Sequence, residues 1–240
     1  METSLLIAVF FIAILYASVG HGGASGYLAV MALFAMDPVM MKSSALTLNL
    51  FVAGISFYAF YKAGYFNPRL WWPFALTSVP FAFLGGTMNV NPRIYKVILG
   101  IFLIFAVFRI VFRPKGSNEI TKIHLPLALF TGAVLGIFSG MIGIGGGIIL
   151  SPLILLLGWG NIKETAATSA LFILVNSVAG LAGLISQGAT FSPLIPFLAG
   201  AGILGGLIGA RMGSMKVSFV QLKYLLSFVL LFAGIKLILF

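Results

Sequence analysis

Cysteine is absent from the 240 residues, and acidic side chains nearly so, with four Asp and Glu in all. The first absence excludes disulfides, thiolate metal sites and any route that passes sulfur or electrons through a protein thiol. The second leaves little material for a buried carboxylate proton relay, because Glu2, Asp37, Glu119 and Glu164 all fall near segment ends or in loops. Charge of either sign is scarce: 8% of residues are charged, against about 25% in an ordinary soluble domain. No polar stretch is long enough for an extramembrane domain.

What the chain does contain is apolar. Hydrophobic residues make up 61% and the mean hydropathy is +1.17. Almost the whole length divides into runs near the ~20 residues that a helix needs to cross about 30 Å of hydrocarbon. The runs lack the apolar/polar alternation of a membrane barrel, so helices are the spanning structure and the fold class is an all-α integral membrane protein. A net charge of +10 on a soluble domain would suggest nucleic acid. Here the basic residues mostly sit between apolar runs, which points to membrane topology and to no nucleic-acid partner. The first run has neither a basic n-region nor a clear cleavage site and reads as a retained helix.

Ten segments can be counted, at 4–19, 26–36, 43–61, 70–88, 94–112, 125–142, 148–158, 165–186, 193–210 and 218–240, which predicts eight to ten membrane helices. Five fall in a first repeat, 1–113, and five in a second, 124–240, around a polar linker at 114–123. The halves are related. Gly20, Gly22 and Gly23 recur with the same spacing as Gly143, Gly145 and Gly146; Ser44-Ala45-Leu46 recurs as Ser169-Ala170-Leu171; Gly64, Gly85 and Met88 answer Gly188, Gly209 and Met212. Lys62 and Arg69 flank the loop between segments three and four, whereas the matching loop, Gln187 to Ser192, carries no charge. The positive-inside rule then places the first loop, the central linker with Arg113, Lys115 and Lys122, and Arg211 with Lys216 in the cytoplasm. The two repeats run in opposite directions on this assignment, although Arg93 and Lys96 fall outside.

Residues 4–36 would form a helix of about 50 Å, too long for one crossing and short for two. The dense glycines of Gly20 to Gly26 are the place for a break, since each costs about 1 kcal/mol of helix propensity relative to alanine. Gly140 to Gly147 repeats the design, with the next short segment expected to start near Pro152. Each half is thus expected to open with a broken or re-entrant hairpin. Helix ends at membrane depth survive only around protein or a polar cavity, and paired breaks point to a central site. Glycine N–H groups and helix N-termini favour a small anion there. Isolated glycines would instead read as close-packing residues.

The run from Gly136 to Leu153 (GIFSGMIGIGGGIILSPL) resembles the repeat signature of the TauE/SafE sulfite exporter family, also called the 4-toluene sulfonate uptake permease family. So do Ala166 to Leu171 and Gly205 to Gly213. The resemblance covers essentially the whole chain and is stronger in the second half; the first half has His21 and Ser25 where the second has Ile144 and Ile148. It implies a multi-pass protein of a bacterial or archaeal plasma membrane. It also implies a carrier that exports or imports sulfite, sulfoacetate or another organosulfonate with coupling to an ion gradient.

The substrate-binding candidates are His21, Gly22, Gly23, Ser25, Thr47, Asn49, Gly145, Gly146, Gly147, Thr168, Ser169 and Asn176, as backbone or side-chain donors within the apolar segments. His21 is also the residue to which proton coupling would fall. Taken singly, each hydroxyl or amide reads first as helix–helix glue, and His21 also as a structural residue bonding freed backbone carbonyls. Arg211 is a weaker candidate for an anion vestibule, with membrane anchoring as its other role. No cofactor or metal is expected; the partners left open are a coupling ion and a second copy of the chain. Competing readings are an anion channel, a scaffold or receptor, and an intramembrane serine protease of the rhomboid kind, the last from Gly23-Ala24-Ser25-Gly26. That protease would need a base beside Ser25.

Overall fold

The computed structural model describes residues 2–88, 90–111 and 120–215, with 231, 234–235 and 237–239 near the C-terminus. Within them lie nine helices: α1 (Glu2–Ala17), α2 (Ala24–Leu33), α3 (Pro38–Lys62), α4 (Pro68–Thr87), α5 (Pro92–Val111), α6 (Leu125–Ile142), α7 (Gly147–Leu156), α8 (Ile162–Ser186) and α9 (Ile195–Ser214). The described residues contain no strand. The tenth expected segment falls almost wholly outside them, as do Arg113, Lys115, Glu119 and Lys216. By length and composition, α3, α6, α8 and α9 can each cross a membrane, while α1, α2 and α7 are shorter apolar helices. Polar and apolar surfaces are distributed as a bilayer demands. Leu76, Phe130 and Phe197 are mostly exposed, whereas Asn49, Ser56, Thr168, Ser169, Asn176 and Ser177 are fully buried.

Several helices extend past their apolar runs because a side chain caps the first turn. The carboxylate of Asp37 accepts from Val39 N at 2.9 Å and Met40 N at 3.3 Å, so α3 begins at Pro38, well before residue 43. Asn161 and Glu164 form a capping box that starts α8 at Ile162. Asn67 and His124 cap α4 and α6. The start of α7 departs from expectation in the same direction: it begins at Gly147, with Pro152 inside it. A proline there leaves one carbonyl, that of Ile148, without its helical donor.

Helices in corresponding positions have the same length: 10 residues in α2 and α7, 25 in α3 and α8, and 20 in α4 and α9. Their packing exchanges in the same way. The fourth helix of each half lies along the first helix of the other. On one side Gly132, Gly136 and Gly140 of α6 press against the carbonyls of Phe74, Ser78 and Ala82 of α4. On the other, Gly205, Gly209 and Gly213 of α9 press against those of Phe10, Ile14 and Ser18 of α1. Glycine at every fourth position lets the backbones touch along both seams. Gly140, read in the sequence as part of the second break, belongs to this packing stripe instead.

At the centre α3 and α8 run antiparallel, from Phe60 beside Lys163, through Asn49 bonded to Ser177, to Ser43 bonded to the carbonyl of Thr190. Two lysines tie the ends of the bundle. Lys42, 5% exposed, donates to Gly86 O at 3.2 Å, and Lys163 donates to Gly213 O, the same penultimate position of α9. Each ammonium meets the negative end of a helix.

Two expectations follow for stability in detergent. Gly209→Ala places a Cβ against a backbone oxygen that cannot swing aside, and is expected to cost about 1–3 kcal/mol, whereas Gly200→Ala, with nothing within 4 Å, serves as the tolerated control. Ala35 adopts φ 55 where its counterpart Gly158 has φ 66. Relief of left-handed strain, offset by glycine's entropy, should make Ala35→Gly stabilising by about 0.5–1 kcal/mol. Thermal or denaturant melts check both.

Candidate functional site

Both short helices fold back on the helix before them. After Gly20 and Gly23, both at positive φ, Gly26 packs on Ile12 and Tyr16 of α1, and Tyr16 Oη lies 2.6 Å from Ser25 Oγ. In the second half Gly146 lies beside the backbone of Leu135 in α6. Each half thus opens with a helix, a glycine-rich break and a short ten-residue helix.

The N-caps of α2 and α7 are Gly23 at φ 96 and Gly146 at φ 75, and neither start has a side-chain cap. Only glycine holds this left-handed backbone without strain. The first N–H groups of both helices, which have no intrahelical acceptor, thus face the break with the positive end of the helix dipole behind them. By contrast α3, α4, α6 and α8 are capped by side chains; α9, which starts away from a break, has no side-chain cap either.

The breaks converge on the α3–α8 pair. A Cβ on Gly145 would stand 2.8 Å from Asn49 Nδ2 and 2.8 Å from Ile173 Cγ2, and one on Gly22 would run into Asn49 Oδ1 and stand 3.0 Å from the same Ile173 methyl. Gly147 abuts the tip of Ile173. Asn49 is held by a 3.1 Å bond from its Nδ2 to Ser177 Oγ, which leaves its Oδ1 buried without a partner. Thr168 Oγ1 and both amide atoms of Asn176 are also buried and unpartnered. Polar atoms in this condition are expensive inside a membrane protein and mark a place that does something other than pack.

His21 ties the two breaks to each other. Its Nδ1 lies 3.0 Å from Val19 O in the first, and its Nε2 lies 3.1 Å from Gly147 O in the second. Ser151 Oγ stands 3.2 Å from the same Nε2 and 2.7 Å from Ser169 Oγ, so a polar chain runs from the first hairpin through α7 to α8.

Of the residues expected from sequence, His21, Gly22, Asn49, Gly145, Gly147 and Ser169 come together here, and Asn176 follows one turn beyond Ile173. Gly23 and Gly146 shape the turns, packed on the rings of Tyr27 and Phe172. Others are engaged elsewhere. Ser25 pairs with Tyr16 rather than with a histidine, so the protease dyad is not formed there. Thr47 Oγ1 bonds back to Ser43 O at 2.8 Å, and Arg211 is exposed in the last turn of α9.

Sequence reasoning missed Ser151 and Lys42. Ser151 lies one helical turn after Gly147 and so shares its face, a signal that the attention given to Pro152 obscured. Lys42 was set aside by starting the apolar run at residue 43, yet its long stem carries the charge into the bundle.

Comparisons with known proteins agree with this architecture. The family described as sulfite exporter TauE/SafE matches residues 5–237. A protein of Sinorhizobium fredii named "probable membrane transporter protein" is 40% identical over 239 residues, 98% of this chain and 97% of that one. One of the same name from Methanocaldococcus jannaschii is 26% identical over 178 residues, 68% of this chain and 66% of that one. No solved structure matches. The chain is a multi-pass membrane transporter and belongs to the TauE/SafE sulfite exporter family.

Proposed function

We propose that this transporter carries a small sulfur oxyanion, sulfite or an organosulfonate such as sulfoacetate, out across the plasma membrane of a bacterium or archaeon by alternating access of two inverted halves. The observation that carries the reading is the meeting of two uncapped helix N-termini, one from each half, beside the buried amide of Asn49, with the unpartnered amide of Asn176 three residues on from Ile173. Partial positive charge from the helix ends and neutral N–H donors suit an anion with several oxygens. The antiparallel course of α3 and α8, with equal helix lengths in the two halves, supports the inverted relation. The sulfur character of the substrate rests on the family.

In the conformation described, Asn49 and Ile173 fill the space between the breaks. Rocking of one half against the other would part them and let the anion reach the helix ends from one side at a time. The ends pinned by Lys42 and Lys163 sit at opposite ends of the α3–α8 pair, where closure on one side can accompany opening on the other.

Proteoliposomes loaded with radiolabelled sulfite, sulfoacetate or sulfate test the reading directly. Flux of at least one sulfur oxyanion is expected, saturable and slower than a channel current; no flux of any would end the assignment. Asn176→Leu keeps the branched four-atom shape of the side chain and removes two unsatisfied polar atoms, so its melting temperature should hold or rise. Its flux should fall about tenfold or more, the equivalent of one or two lost hydrogen bonds to an anion. Unchanged flux in a folded Asn176→Leu protein would remove this residue from the site.

A further inference from the structure

Resting on the reading of the chain as an anion carrier, we infer that His21 is a proton-binding residue of the transport cycle and that the Ser151–Ser169 hydroxyl pair reports its charge to the anion site. The argument is a count of hydrogens. Both ring nitrogens of His21 lie at hydrogen-bond distance from a backbone carbonyl, Val19 O at Nδ1 and Gly147 O at Nε2. A carbonyl only accepts, so both contacts are bonds only when both nitrogens carry hydrogen, as in the imidazolium. The imidazolium is then the form that clasps the first break to the second.

The neutral ring has one hydrogen to place. On Nε2 it would leave the Nδ1 lone pair against Val19 O at 3.0 Å; on Nδ1 it keeps that bond and leaves Nε2 as an acceptor. Ser151, 3.2 Å away, is the donor in reach. Its hydroxyl then gives its hydrogen to the histidine and accepts from Ser169 across 2.7 Å. Ser169 spends its only hydrogen inward, and Gly147 O loses the histidine.

Protonation reverses the chain. Nε2–H now donates, shared between Gly147 O and Ser151 Oγ. The Ser151 hydroxyl turns to Ser169, and the Ser169 hydrogen is released to point elsewhere. Ser169 is fully buried, beside the unpartnered Thr168 hydroxyl and one turn before Ile173 at the meeting of the breaks. One proton taken from water therefore does two things at once: it brings a positive charge to the break and frees a hydroxyl donor for an anion. By linkage the anion must favour the proton as much as the proton favours the anion.

Tyr16 of α1, its ring centroid 6.3 Å from that of His21, and Tyr27 of α2, packed over Gly23, are the titratable side chains of the first hairpin near the break, Glu2 lying at the far end of α1. From α7 and α8 the hydrogen-bond chain of His21 runs through Gly147, Ser151 and Ser169, which carry no charge; the charged groups of α8 are Lys163, bonded to Gly213 O of α9, and Glu164, both in its first turn beside the first break. Imidazole ordinarily titrates near pH 6.5, inside the range a cell can use.

The test is calorimetric titration of the purified protein with methanesulfonate and, separately, sulfate, whose charges stay constant around neutral pH, unlike that of sulfite. Each titration is run in buffers of different ionisation heat. Wild-type protein should take up as much as one proton per anion bound, and its affinity should fall by up to about tenfold per pH unit as pH rises above the histidine range. His21→Gln should bind more weakly, with no proton uptake and no pH slope. Ser151→Ala should lower proton uptake and the pH slope together, and Ser151→Thr should restore both. Anion binding by the wild type without proton uptake at any pH overturns the inference and leaves the carrier reading standing, and so does undiminished uptake in His21→Gln. Absence of binding of either anion at every pH, together with absent flux, overturns both. The wild-type measurement decides even if a variant fails to fold.

Discussion

A peptide N–H inside a bilayer has no water to bond to, and this chain starts two helices at buried glycine breaks without a side-chain cap. That constraint organises the rest. Helix starts away from the breaks are satisfied by local side chains such as Asp37, Asn67, His124 and Asn161. The starts of α2 and α7 follow left-handed glycines whose missing side chains let other elements come close enough to share the polar load. Asn49, Ser151, Ser169 and His21 gather where the first turns of the short helices are exposed. The bundle around them keeps its few polar side chains within, among a mostly apolar interior, and is apolar without. Its cohesion comes from backbone contact along glycine seams rather than from hydrophobic burial, because lipid tails are as apolar as leucine.

Much of the fold was legible from residue chemistry. Helix number and order over the described residues follow from run length, since hydrocarbon thickness sets a length that apolar runs must meet. Glycine density located both breaks, because four or five glycines at about 1 kcal/mol each together outweigh even a single interior proline. The limits of α3 and α8 were drawn too short for a physical reason: Asp37 and Asn161 are polar and lie outside the apolar run, but their caps hold the helix that precedes it in sequence. Gly140 was misassigned because composition cannot separate a glycine that bends a helix from one that packs it. The Cβ contact with Ala82 O makes that distinction only in three dimensions.

The site was legible as a set of residue types and less so as a set of contacts. His21 and the paired glycines stood out because they are rare or dense. That Asn49 lies between both breaks depends on the register of α3 against α8, which no local pattern encodes. Ser25 and Thr47 show the converse. Both are polar and at plausible depth, yet a tyrosine and a carbonyl of the same helix occupy them. Ser151 was overlooked because serine is common in membrane helices and is ordinarily bonded to its own helix; its significance appears only with His21 and Ser169 on either side.

The exchange of fourth helices between halves has a consequence for how the protein is made. During synthesis α1 precedes α9, against which it packs, by seven intervening helices. At about 5–20 residues per second the wait is of the order of ten seconds or more. The newly inserted α1 must spend that time against lipid, insertion machinery or a temporary neighbour. Its backbone seam is the mirror of the one that α4 and α6 complete much sooner. Assembly is therefore sequential on one side and delayed on the other, so the first half cannot reach its final packing alone.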